Sequence, residues 1–236
     1  MHVSRRLVMA TAALAVPVLA AGATTTDLAV SCDLAAAPAV YAAGAAWRAR
    51  TGVRVRVFPT PPGLLLPQLE RTIQNDIIIT RLAVIDQAEA AGLVTPGGRS
   101  RTWRNRLVMT EAKEPAGPEG SFAVPDATPG SDIDGEAVLR RMGAEPTHVS
   151  GVIDTNAVAW TLAHGGARMG LLHRTEVVAD KRLRVVSAVS DDAWPPILYA
   201  ATVTRLSRRG DPAGFVAFLN SEDGFAVLRA AGLEDG

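Results

Sequence analysis

The chain has 236 residues, 48% of them hydrophobic and 20% charged, with 24 basic side chains set against 24 acidic ones. A formal net charge of zero lacks the basic excess by which nucleic-acid and membrane-surface binders hold their partners, so neither partner is expected. The single cysteine, Cys32, excludes an intramolecular disulfide framework and a cysteine-built zinc site, and the four scattered histidines show no metal-ligand spacing.

Residues 1–23 read as a signal peptide. A short basic start, "MHVSRR", precedes an apolar run too short to span a membrane comfortably, "LVMATAALAVPVLA", and Ala21-Gly22-Ala23 fits a small-x-small cleavage site. Ser4-Arg5-Arg6 before Leu7, Val8 and Met9 also resembles a twin-arginine signal, which leaves the general secretory and twin-arginine routes both open. The roughly 210 residues that remain suffice for one large domain or two small lobes.

The mature chain opens on strand and helix in alternation. "DLAVSC" reads as a buried strand, "APAVYAAGAAWRAR" as an Ala-rich helix stopped at Gly52, and "VRVRVF" as a strand. A helix from Leu64 to Thr72, the apolar strand "DIIIT" and the helix "AVIDQAEAAG" closed by Gly92 repeat the unit. Such a β-α-β-α-β succession predicts a parallel sheet with right-handed crossovers. Beyond Gly98 the expected elements are the strand "RNRLVMTEA", a Pro/Gly loop, a short strand in "SFAVPDATPGS" and the helix "GEAVLRRMG". The helix "TNAVAWTLAHGG" and the strands "RMGLLH", "LRVVSAV" and "PPILYAATVT" follow, then two amphipathic helices, "DPAGFVAFLN" and "SEDGFAVLRAAG", the latter with Ser221 as N-cap.

Ligands of open α/β sheets bind beyond the carboxyl ends of strands, which singles out Asp33 and Ala35, Pro61 to Gly63, Thr80, and His173 with Arg174. His173 reads equally as a ligand-facing donor and as a histidine that closes a strand. Cys32 and Asp33 offer a nucleophile and an orienting acid, although a cysteine ending an apolar strand is more often a core residue. Phosphate loops, nucleophile elbows, dinucleotide fingerprints and His-Glu-x-x-His are all absent, so no cofactor or metal is expected. Asp191-Asp192 reads as solvated turn chemistry, and Trp47, Trp103, Trp160 and Trp194 read as core or cleft wall.

In order and spacing, "TGVRVRV", "LPQLE", "NDIIIT", "AEAAGLV", "RNRLVM", "HGGARMGLLH", "PPILYAATVT" and "DPAGFVAFLNSEDGFAVLRAAGLE" resemble the periplasmic molybdate-binding proteins that feed ABC transporters. The resemblance covers essentially the whole mature chain. It implies an α/β two-lobed periplasmic-binding-protein fold of type II, with residues 24–105 and 195–236 in one lobe and 106–194 in the other. It also implies a periplasmic, monomeric receptor, not an enzyme, that closes on an oxyanion and delivers it to a permease in the inner membrane.

Such proteins grip the oxyanion with two serine hydroxyls, backbone N–H groups and a tyrosine hydroxyl. Those positions fall here at Ala35, at Pro61 and Pro62, at Gly130 and Thr155 for the backbone donors, and at His173. Both serine positions have lost their hydroxyls, and the prolines lack even the amide hydrogen. Three functions follow from this reading. The first is an oxyanion receptor; the second is a receptor of the same fold for a different small solute, anchored by Asp33, His173 and Arg174. The third, least favoured, is an enzyme on this scaffold that uses Cys32, Asp33 and His173.

Overall fold

The computed structural model describes residues 27–71, 75–127, 133–207 and 210–236. The signal-peptide reading and Gly130 lie outside the described residues. Eleven strands form two sheets among those residues.

The first sheet starts as the sequence predicts. β1 (Leu28–Asp33), α1 (Ala37–Thr51), β2 (Val55–Thr60), α2 (Pro62–Glu70), β3 (Ile77–Arg81) and α3 (Leu82–Ala90) place β1 between β2 and β3, parallel to both. α1 carries Pro38 in its first turn, where a missing N–H costs nothing, and ends on Gly52. At φ 77° that glycine takes the left-handed turn and donates its N–H to the Arg48 carbonyl at 2.8 Å. α2 spans 62–70, two residues earlier than predicted at each end, because Pro62 is well suited to a first helical position.

The run "RNRLVMTEA", expected to be one strand, is two. β4 (Trp103–Asn105) joins the first sheet and β5 (Leu107–Ala112) the second, with Arg106 as the crossover between them. Asn105 is wholly buried at this junction, and Arg106 ion-pairs with Glu234 on one side and Asp191 on the other. Asp191 therefore has an ionic partner as well as the solvent expected of it.

β6 (Ser121–Pro125), α4 (Gly135–Arg141), β7 (His148–Val152), α5 (Thr155–Ala163), β8 (Met169–His173), α6 (Arg174–Ala179) and β9 (Leu183–Ala188) complete the second sheet, in the order β7-β6-β8-β5-β9. The chain then returns. β10 (Ile197–Val203) runs antiparallel between β3 and β4, and α7 (Pro212–Asn220), α8 (Glu222–Ala230) and the short β11 (Glu234–Asp235) close the first sheet.

Side-chain alternation explains why each sheet is covered on both faces. On the first sheet Val30, Cys32, Ile77, Ile79, Tyr199 and Ala201 face α1, α7 and α8, where Trp47 packs against Phe215 and Phe218 at 5.7 and 5.6 Å between ring centroids. Ile78 and Ala200 face α2 and α3 with Leu65, Leu69 and Ile85. Of the four tryptophans, Trp160 departs from the expected core or wall role: it is 63% exposed on α5 and stacks on His164 at 4.2 Å.

Candidate functional site

Asp33 ends β1 almost without solvent contact, at 1% exposure. Its Oδ1 accepts the Ala35 N–H at 3.1 Å, which fixes the 3₁₀ turn Leu34–Ala36 that leads into α1. Its Oδ2 accepts from Arg81 Nε at 3.0 Å, the last residue of the adjacent strand β3. Burial pushes the Asp33 carboxyl up from its ordinary range, while Arg81 and the Ala35 amide pull it back. Tyr199, opposite Arg81 on β10, sets its hydroxyl beside the same carboxylate; burial and the negative charge of Asp33 raise its pKa far above the usual phenol value. Fully buried, that hydroxyl faces the Asp33 carboxylate and, with Arg81 and the Ala35 amide, holds it below where burial alone would put it.

The second sheet meets this turn at the start of α6. Thr175 Oγ1 donates to the Ala35 carbonyl at 2.5 Å, and Asn105 Nδ2 donates to both the Ala35 carbonyl at 3.2 Å and Thr175 Oγ1 at 2.9 Å. Gly232, at φ 100°, brings the C-terminal tail against the same helix start, where a Cβ would stand 3.0 Å from the Thr175 Cα. Glu234 then pairs with Arg174. The two lobes are joined by neutral hydrogen bonds and a close backbone contact around Ala35 and Thr175, and by the ion pairs of Glu234 with Arg174 and Arg106.

Glu176, the third residue of α6, is the centre of the second lobe's contribution. Oε2 accepts the His173 N–H at 2.9 Å, and Oε1 accepts the Thr155 hydroxyl at 2.5 Å. The residue keeps some solvent access. Burial, and after it the charges of Asp33 and Asp154, push its carboxyl up to about 7 against the Thr155 and His173 hydrogen bonds. Asp154 caps α5, its Oδ1 accepting the Ala157 N–H at 2.8 Å.

Of the residues singled out from the sequence, Thr155 and His173 meet through Glu176, and Asp33 and Ala35 meet across the same junction. Both backbone polar groups of Ala35 are spent inside the protein. Pro61 follows Thr60, the residue in register with Asp33, and opens α2 together with Pro62. The Cys32, Asp33 and His173 arrangement does not form a catalytic set. Cys32 is buried in the core on the α1 face, burial raises its thiol well above the ordinary range, and strand alternation turns it away from Asp33.

Arg81, Tyr199 and Glu176 were not anticipated. Arg81 stood one residue past the flagged Thr80, and the spacing of His173 to Glu176 is that of an N-cap and its third helical residue, which is a readable signal. Beside Arg81 a pocket of about 280 Å³ opens, walled by Leu82, Trp194, Pro195, Pro196 and Leu198. Among the described residues no three metal-ligating side chains come together, and no helix is long and apolar enough to cross a membrane.

A family model for bacterial extracellular solute-binding proteins matches residues 28–234. No curated protein matches the chain. Among solved structures, the periplasmic molybdate-binding protein of Azotobacter vinelandii superposes with a TM-score of 0.69 at 15% identity, over 88% of this chain and 98% of its own. The sulfate-binding protein of Mycobacterium tuberculosis gives 0.63 at 14%, over 88% and 86%. Iron-bound HitA of Pseudomonas aeruginosa gives 0.59 at 17%, over 86% and 83%. At these identities the likeness is one of fold, and it is the two-lobed α/β fold that the sequence resemblance implied.

Proposed function

Because the chain belongs to the bacterial extracellular solute-binding proteins, we propose that it is a periplasmic receptor that delivers a small solute to an ABC permease, working as a monomer. The lobes are 24–105 with 195–236, and 106–194, and the solute binds between them at Asp33, Arg81, Thr155, His173, Glu176 and Tyr199. The 1–23 leader supplies export.

The fold is shared with receptors for molybdate and sulfate, but the donor set differs from what such anions need. One observation carries this reading: the helix starts at the junction are already occupied by the chain's own carboxylates. Asp33 takes the amide of the turn before α1, Asp154 that of α5, and Glu176 the His173 amide and the Thr155 hydroxyl. α2 opens on Pro61 and Pro62, which have no amide hydrogen to offer. A desolvated oxyanion loses roughly 1–3 kcal/mol for each acceptor left unpaired, so a few missing donors remove orders of magnitude of affinity. The solute this receptor takes is therefore one recognised through its own hydrogen-bond donors.

Calorimetric titration with molybdate, tungstate and sulfate, beside a thermal-shift screen of neutral and cationic solutes, tests the proposal. Little or no heat from the oxyanions and stabilisation by a donor-bearing solute are expected. Micromolar or tighter molybdate binding would overturn it.

A further inference from the structure

The seam between the lobes has a second side. In both lobes the chain runs from a strand end, through the seam, into an outer helix: Asp33 precedes Ala35 and α1 follows it, while His173 precedes Thr175 and α6 continues from it. Beyond the seam the helices part. Between them and the end of α8 lies an open groove of about 350 Å³, lined by Pro38 and Ala42 of α1, Val178 and Ala179 of α6, and Val227 and Ala231 of α8. All six are apolar, most are small, and Val178 is 45% exposed. Helices in a permanent contact interdigitate at close packing, so a groove of this size across the lobe boundary leaves α6 room to move. The seam itself is tightly made. Asn105, at the crossover, donates to the Ala35 carbonyl at 3.2 Å and to Thr175 Oγ1 at 2.9 Å, both Asn105 and Thr175 are 0% exposed, and Gly232 closes on the Thr175 backbone from the third side.

We propose that this seam is the pivot of a lever: a rotation of the second lobe that narrows the groove widens the solute cleft, and filling the groove holds the cleft shut. The proposal rests on the reading of the chain as a receptor that binds between its lobes, and not on the nature of the solute. Cleft and groove lie on opposite sides of the pivot, since Asp33 and His173 come before the contact and Pro38, Ala42, Val178 and Ala179 come after it. Ala179 stands four residues past Thr175, roughly 6 Å along α6, which is the short arm of the lever. Narrowing the groove takes water off Val178, Val227 and the alanines, and that burial offsets contacts given up in the cleft. The ion pairs of Glu234 with Arg106 and Arg174 lie at the seam, so they hold the lobes together without fixing the angle between them.

The test uses the mature chain without solute, carrying nitroxide labels at Glu70→Cys on α2 and Asn156→Cys on α5, one exposed position in each lobe, with the native Cys32 buried beyond the reach of the label. Pulsed electron–electron double resonance reads the distribution of distances across the cleft. Ala42→Trp and Ala179→Trp fill the groove from opposite walls, one in each lobe, while Ala45→Trp sets the same ring on α1 outside it. Overfilling a packed contact costs enough to move a two-state ratio about tenfold, so both groove variants should cut the longer-distance population about tenfold, and Ala45→Trp should match the parent. Groove variants whose distances match the parent's, or are longer, would overturn the proposal. A fall in melting temperature with unchanged distances counts against it too, as the mark of simple misfit. These outcomes leave the receptor reading intact, since no solute enters the measurement. Because the two walls belong to different lobes, one well-folded groove variant decides the question.

Discussion

Glu176→Gln should flatten the pH dependence of stability of the ligand-free protein. An acid whose pKa rises from 4.5 to about 7 on folding holds its proton more tightly in the folded than in the unfolded chain. The stability that goes with the neutral carboxyl is therefore complete below pH 4.5 and is lost as pH rises through about 7, with no further loss above. The gap corresponds to roughly 3 kcal/mol at most. For a chain of this length, that is roughly 6–12 °C in melting temperature. Glutamine keeps the shape: its Oε1 accepts from the His173 N–H, and its amide donates to Thr155 Oγ1 once that hydroxyl turns. It has no proton to lose, so whatever the substitution costs in packing is the same at every pH.

Differential scanning calorimetry of wild type and variant at half-unit steps from pH 4 to pH 8.5 reads the difference directly, since titrations elsewhere cancel in the comparison. The wild type should lose melting temperature relative to the variant across pH 4.5–7 and stay level with it in slope beyond. Parallel curves over the whole range would show that the Glu176 carboxyl is solvated as well as it is in the unfolded chain, and the account of the junction as a low-dielectric, acid-crowded site would fail.

Three further outcomes follow from the same structure. Asp33→Asn breaks the buried pair with Arg81 and should cost about 3–5 kcal/mol in urea unfolding, with the Asp33→Asn, Arg81→Met double variant recovering part of the loss. Phe215→Ala empties a wholly buried position beside Trp47 and should cost about 3–5 kcal/mol, read from the same unfolding curves. Cys32 should resist a thiol reagent such as Ellman's in the native protein at pH 8 and react at once in denaturant, because its sulfur is inside the core and its pKa is raised.

The sequence disclosed what local pattern controls. Apolar runs such as "DIIIT" fall into strands because both faces of the sheet are covered, and Gly52 ends α1 because only a residue without a Cβ takes φ 77° at no cost. Where pattern is silent, the reading stopped. "RNRLVMTEA" holds no glycine, proline or other turn signal, and nothing in it says that Asn105 belongs to one sheet and Leu107 to the other. β7 is a largely exposed edge strand held by backbone pairing to β6, so "HVSGV" carries no hydrophobic period to find.

The candidate site was legible in half. Asp33 and His173 could be picked out as residues at strand ends, Thr155 entered as a backbone donor implied by the family resemblance, and the prolines at 61 and 62 have no amide hydrogen to offer an anion. Glu176 and Arg81 draw their importance from partners in other elements: Thr155 lies 21 positions from Glu176, and Asp33 lies 48 from Arg81. Taken singly, Asp33, Asp154 and Glu176 each do the ordinary local work of accepting amide hydrogens at the start of a turn or helix. Folding sets Asp33 and Asp154 within the field of Glu176, and that convergence is absent from any local window.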